Sequence, residues 1–247
     1  MHIRVIDPVT TSEWEEGSRQ VFQAAAAEGT EISVVSLAWG PPSIEVRADS
    51  AWAAPGILQR VLEAARAGVD AIIINCMDDP GLYAAREMVR IPVVGPAEAS
   101  MHLAAILAHR FSIVTTDSRD IPSVEELVGR YRMREKLASI RALDIPVLEL
   151  RDDPEATFRA LIESAEQAVL RDGAGAIIPG CTLLAQMAQR AQAELAERGC
   201  EVPVLNPSAV ALKSAEAQVA LGYTHSARTF AAPGDKKIIW PIEQDFV

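Results

Sequence analysis

Short, flatly apolar runs alternate along this chain with longer stretches in which apolar positions recur at helical spacing. The runs at 3–7, 32–38, 69–75, 91–95, 111–116, 145–150, 174–179 and 202–206 are continuously apolar rather than alternating. That pattern suits parallel strands covered on both faces by helices. The segments 56–67, 80–90, 97–109, 121–140, 154–171, 183–198 and 208–221 have helical composition. The βαβα rhythm predicts an α/β fold.

The pattern also repeats. GVDAIIINC (68–76) aligns with AGAIIPGC (174–181), each a strand ending in cysteine, and IPVVGPAEA (91–99) with VPVLNPSAV (202–210). IRVIDPVTT (3–11) pairs with FSIVTTDSR (111–119), and EISVVSL (31–37) with DIPVLEL (144–150). Four pairs in the same order predict two pseudo-symmetric lobes, each a four-stranded parallel sheet flanked by helices. The lobes are expected at 1–98 plus 208–247 and at 99–207, with an active site in the cleft between them. The exchange between lobes falls near 97–109, and the helix at 208–221 returns to the first lobe.

Ligands of parallel sheets gather at the carboxyl ends of strands, where helix N-termini present free amides. Cys76 and Cys181 both sit there, one per lobe, and so would meet across the cleft. One thiol at a strand end is more often a buried small apolar residue, but symmetric placement of two points to chemistry. A thiolate on one face of a carbon removes a proton while a thiol on the other face supplies one, and the pair inverts that centre. Helix polarity would favour the thiolate. A carbonyl next to the carbon would delocalise the carbanion with no metal or organic cofactor, assisted by the amides of Met77 and Thr182. Cys200, in the turn ERGCEVP, has no first-lobe counterpart and reads as packing.

Composition narrows the partners. The 247 residues are 49% hydrophobic and 23% charged, and the formal net charge is −11. That charge argues against nucleic acid or an acidic membrane surface and leaves a small molecule. No leader-like segment or bilayer-length apolar run stands out, so the expected location is cytoplasmic. Three cysteines in such a chain do not suggest a disulfide framework. The four histidines show no ligand spacing, and no phosphate-binding glycine loop is present.

Several motifs resemble one family. CMDDPGLYAARE (76–87), IPVVGPAEAS (91–100) and FSIVTT (111–116) are similar to the hydantoin and allantoin racemase branch of the aspartate/glutamate racemase superfamily. GPPSIEVRAD (40–49), GCT (180–182) and LGYTHSARTFAAPGDKK (221–237) extend the resemblance over nearly the whole chain. It implies a cofactor-independent racemase of homo-oligomeric habit, with catalytic cysteines at Cys76 and Cys181. The substrates it implies are 5-substituted hydantoins first and allantoin second, neutral rings whose carbonyls acidify the C5 hydrogen. Asp7-Pro8-Val9-Thr10 replaces the family's Asn-Pro-Asn, Thr182-Leu183-Leu184 replaces Ala-Gly-Met, and Asn75 stands where a smaller residue is usual. These departures fall on the expected pocket wall, so they bear on substrate more than on chemistry.

The remaining wall is expected from Asp7, which could accept a ureide N–H, and from Ser43, Asn75, Met77, Thr115, Thr116, Gly180 and Thr182. Asp78 and Asp79 could pass for acid–base carboxylates, but Asp79-Pro80 reads as the cap of the helix that follows. RYRMREK (130–136) reads as a solvated helix face. The rivals are an amino-acid racemase, maleate isomerase or arylmalonate decarboxylase of the same superfamily, a binding protein without chemistry, and a Cys76–Cys181 redox pair. No arginine lies beside either cysteine, which favours a neutral ring over the anionic substrates of the relatives.

Overall fold

The computed structural model describes residues 1–234. Strands β1 (His2–Asp7), β2 (Glu31–Ser36), β3 (Ala71–Ile74) and β4 (Val93–Val94) form a parallel sheet in the order β2-β1-β3-β4. Strands β5 (Phe111–Thr115), β6 (Leu137–Ala142) and β7 (Ile177–Pro179) form a second parallel sheet in the order β6-β5-β7. The orders correspond: the second strand flanks the first on one side, and the third on the other. Where β4 would recur, Val204 makes an isolated parallel bridge to Ile177. The backbone bonds match as well. Ile72 N–H donates to Pro92 C=O and Ile177 N–H to Pro203 C=O, both at 2.9 Å.

Each sheet is covered on both faces, which is why its strands read as unbroken apolar runs. On one face of the first sheet, Ile6, Ile72 and Ile74 meet Ile57 and Val61 of α2 (Arg47–Arg66) and Leu82 of α3 (Leu82–Met88). On the other, Ile3, Val5 and Ile73 meet Phe22 of α1 (Glu15–Ala25) and Leu212 of α8 (Pro207–Leu221). In the second lobe, Phe111 and Ile113 pack on Met101 of α4 (Pro96–Leu107) and Leu127 of α5 (Ile121–Arg130). Val114 and Ile177 pack on Leu161 of α6 (Pro154–Leu170) and Leu195 of α7 (Ala188–Glu197). Cys200 is buried in that last cluster. The helix after β4 therefore packs on the second sheet, and the final helix packs on the first. Burying one such Ile or Leu side chain contributes about 1.5–3 kcal/mol.

The structure corrects several expectations. The second sheet has three strands and a bridge rather than four strands. Residues 145–150 form no strand: Val147–Glu149 is a 3₁₀ turn, and the second strand of this lobe is β6, which begins within the expected helix 121–140. Helix α5 stops at Arg130 because Arg132 takes a left-handed backbone with φ 59°. Pro146, which has no N–H to pair with a neighbour, keeps 145–150 out of the sheet. RYRMREK is accordingly a turn, and its Tyr131 is buried. Helix α1 and the first turns of α2 have no apolar stripe long enough to be read from the sequence.

Residues 223–230 lie across the outer edge strand. His225 Nε2 accepts the Val93 N–H at 2.8 Å, Phe230 packs edge-on against Tyr83, and Arg90 donates to Phe230 C=O. Burial, with Arg86 nearby, holds the His225 pKa down to about 4. The neutral ring is the bound form, so this contact holds above the ordinary histidine value of about 6.5 and is lost as pH falls from there towards 4. The protection factor of the Val93 amide should fall across that window, and H225A should show the lower protection already at pH 7. An unchanged protection factor would remove His225 from the edge. No helix among the described residues is long and apolar enough to cross a membrane.

Candidate active site

Both cysteines follow the last backbone bond of a third strand. Asn75 N–H donates to Ile6 C=O at 2.8 Å, and Gly180 N–H donates to Val114 C=O at 2.7 Å. Cys76 and Cys181 come one residue later, and both line a single cavity at the carboxyl edges of the two sheets. At position 180 a Cβ would lie 2.8 Å from Thr115 Cα, so the exit of β7 requires glycine. Asn75 has room for a side chain, which donates to Asp7 Oδ1 at 2.7 Å and accepts from Ser208. The Thr182 hydroxyl donates to Asn75 C=O across the cleft.

The cavity is lined by Asp7, Asn75, Met77, Thr116, Gly180 and Thr182 of the expected wall, together with the two cysteines. Ser43 and Thr115 are buried outside the lining and orient two carboxyls that belong to it. Ser43 donates to Glu45 Oε1 and Thr115 donates to Asp120 Oδ2, each at 2.8 Å. Sequence reasoning missed Trp14, Ser18, Ile44, Glu45, Asp120 and Val147 on this wall, and set Asp78 aside as a carboxylate beside a cap. The acidic residues carried some signal, since Glu45 and Asp120 follow GPPS and TTDSR, segments already suspected for their hydroxyls. Trp14 and Ser18 had none, because α1 itself was not visible.

The two thiols differ in surroundings. Cys76 accepts a hydrogen bond from the Asp78 amide, but burial first, and then the Asp78 carboxyl, push its pKa well above the ordinary thiol value. Helix α3 begins only at Leu82, so Cys76 opens a turn and not a helix. Cys181 stands immediately before a 3₁₀ helix, Thr182–Met187, and accepts from the amides of Leu183 and Leu184. Burial still raises it, to about 11. The amides that face sulfur are therefore those of Asp78, Leu183 and Leu184. Helix polarity does not outweigh burial at either thiol.

Four carboxyl groups line the cavity, from Asp7, Glu45, Asp78 and Asp120, and among the described residues no lysine, arginine or histidine does so. Burial pushes Asp7 and Asp120 up to about 6 each, and raises Asp78 despite its bond from Ser50. Asp7 Oδ2 is buried with no hydrogen-bond partner among the described residues. A buried carboxyl oxygen left unpaired costs about 1–3 kcal/mol or more, and a donor arriving in the cavity would recover it. Among the described residues no cluster of His, Cys, Asp and Glu could hold a metal ion.

Asp79 does not cap the helix after it. Its backbone is left-handed, with φ 45°, and Gly81 rather than Asp79 precedes α3. Its buried carboxylate instead accepts the Ala97 and Glu98 amides at the start of α4, at 3.1 and 2.8 Å, and the Tyr131 hydroxyl at 2.6 Å. Gly95 leaves the space for it, since a Cβ there would collide with the carboxylate.

Burial raises Asp79 to about 7, against an ordinary value of about 3.9. The folded chain then binds protons that the unfolded chain does not between these values, so stability rises as pH falls through 7. His225 acts oppositely, but only below about 6.5. The thermal midpoint should therefore be higher at pH 6.5 than at pH 8, with a smaller difference in D79N. A midpoint that falls on this acidification would contradict a buried, proton-accepting Asp79.

The comparisons with known proteins agree with this geometry. The family model Asp/Glu/Hydantoin racemase matches residues 3–215. The chain is 38% identical over 244 residues to a hydantoin racemase of Pseudomonas sp. (strain NS671), covering 98% of this chain and 96% of that one. It is 36% identical over 234 residues to a hydantoin racemase of Rhizobium meliloti, covering 94% and 95%. It superposes on an allantoin racemase from Klebsiella pneumoniae with a TM-score of 0.92 and 39% identity, covering 98% and 97%. With two sheets of one topology and a cysteine from each at a common cavity, the chain belongs to the Asp/Glu/hydantoin racemase family and is a racemase.

Proposed function

We propose that the enzyme inverts C5 of a neutral cyclic ureide by two-base proton transfer between Cys76 and Cys181. The observation that carries the substrate class is the cavity wall, four carboxyl groups and, among the described residues, no cationic side chain. An amino-acid carboxylate would enter that field against repulsion and without a counter-ion. A ring of amides brings N–H donors instead, and Asp7 Oδ2 is the unpaired acceptor for one of them. This reading puts 5-substituted hydantoins first, supported by the relatives named hydantoin racemase, and allantoin second, supported by the structural neighbour named allantoin racemase.

In the reaction one thiolate takes the C5 proton, and the electron pair moves into the adjacent ring carbonyl. The opposite thiol then delivers its proton to the other face and becomes the thiolate, so the protonation states exchange at each turnover. Cys181 has two amide donors to its sulfur against one at Cys76, which favours it as the first thiolate. Asn75, Met77, Thr116, Gly180 and Thr182 form the wall that holds the ring. No cofactor is part of this reading. It takes the lobes as 1–98 plus the chain from 208 onward and 99–207; positions 235–247 lie outside the described residues. A homo-oligomer is part of the same proposal, supported by exposed Ile106, Leu107 and Leu221. So is a cytoplasmic location, supported by three unpaired cysteines.

Proton NMR in D2O on single enantiomers of benzylhydantoin, isopropylhydantoin and allantoin, with chiral chromatography, tests the reading. Exchange should accompany inversion in the wild type. C76A and C181A should each abolish inversion, a loss of several orders of magnitude, while sparing exchange for opposite enantiomers. Racemisation by both variants at near wild-type rates would rule the mechanism out.

A further inference from the structure

The thiol-bearing turn at 76–79 meets the other lobe through Met77, which packs in the apolar cluster of the second sheet, and through one buried hydrogen bond from Tyr131 to Asp79. Cys76 C=O accepts the Asp79 N–H at 3.1 Å, closing a tight turn directly after β3. The Asp79 side chain then binds the first amides of α4 and the hydroxyl of Tyr131. Tyr131 belongs to the apolar cluster of the second sheet, beside Leu127, Phe111 and Ile178. That sheet carries Cys181 one residue beyond its own final strand bond. A buried 2.6 Å bond therefore connects the turn of one cysteine to the layer that holds the other.

The other side-chain links across the cleft are weaker. Arg47 pairs with Glu126, but both side chains are more than half exposed, so solvent and salt screen them. Arg119 reaches Glu45 only at 3.6 Å and is itself exposed. The Thr182 bond to Asn75 C=O is long, at 3.4 Å. Tyr131 has no comparable freedom, because its ring is enclosed, with Tyr83 edge-on at 6.3 Å.

We propose that Asp79 and Tyr131 are positioning residues that set the placement of the Cys76 thiol relative to Cys181, and hence the fit of the reacting carbon between them. The proposal rests on the two-thiol reading above. Neither residue lines the cavity that holds both thiols, and both act through the turn. A two-base reaction needs both sulfurs at reacting distance from one carbon, and a displacement of about 1 Å can cost about a hundredfold in rate. Releasing the tyrosine bond should therefore reduce turnover with little effect on ring binding.

The test compares wild type, C76A, C181A, Y131F and D79N by enantiomer-resolved C5 exchange in D2O on benzylhydantoin, with kcat and KM for inversion. Y131F should lose about ten- to hundredfold in kcat while KM stays within about twofold. The loss in exchange should fall mainly on the enantiomer that C76A silences, with the other enantiomer nearly unaffected. D79N, which retains an acceptor oxygen for one helix amide, carries the same expectation should Y131F fail to fold. Equal losses for both enantiomers, or wild-type exchange in a folded variant, would overturn the positioning role. If C76A silences neither enantiomer, the two-thiol reading itself fails, which is a different signature from failure of Y131F alone.

Discussion

A buried strand satisfies its backbone only through bonds to neighbouring strands, and in both lobes the third strand ends paired beside the first. Asn75 and Gly180 make the last of these bonds, to Ile6 and Val114, and the chain then leaves the sheet at a cysteine. The placement of each thiol is thus a consequence of the ladder and not of a separate device. Because the two sheets share one strand order, the two exits meet at one cavity. The crossed packing of α4 on the second sheet and α8 on the first holds them there.

Burial then sets the chemistry of the cavity. Removing water raises both thiols and the carboxyls of Asp7, Asp78 and Asp120 together, since each is less well solvated as an anion. Proximity of like charges adds to the effect, with Asp78 acting on Cys76 and on Asp120. Such a pocket offers hydrogen-bond acceptors and, among the described residues, no cationic side chain. The difference between the thiols follows from local backbone, two amides at Cys181 against one at Cys76.

Much of this was legible from the pattern of residues. Flat apolar runs identified both sheets because both are covered on two faces, and the paired GVDAIIINC and AGAIIPGC placed the cysteines. The pairing of EISVVSL with DIPVLEL was wrong, although both are apolar. The true counterpart of β2 is LASIRA, whose mixed residues are only partly buried and resemble helix as much as strand. Val147, from the misread segment, instead lines the cavity. The strand expected at 202–206 reduces to one bridge, since only Val204 reaches its neighbour in register.

By itself the sequence determined the α/β class, the duplicated plan and the two cysteines, because periodicity and repetition are local and survive without coordinates. The tertiary structure alone decided which side chains share the cavity. Glu45, Asp120 and Trp14 come from loops whose sequences carry no period, and their approach depends on how two lobes are set together. Asp79 makes the point most directly. Its neighbour Pro80 suggested a cap for the next helix, yet its carboxylate turns to the start of α4 and to Tyr131, partners 18 and 52 residues away. A hydrogen bond has no sequence signature at that separation, because its geometry is fixed by packing between elements and not by the order of residues within one.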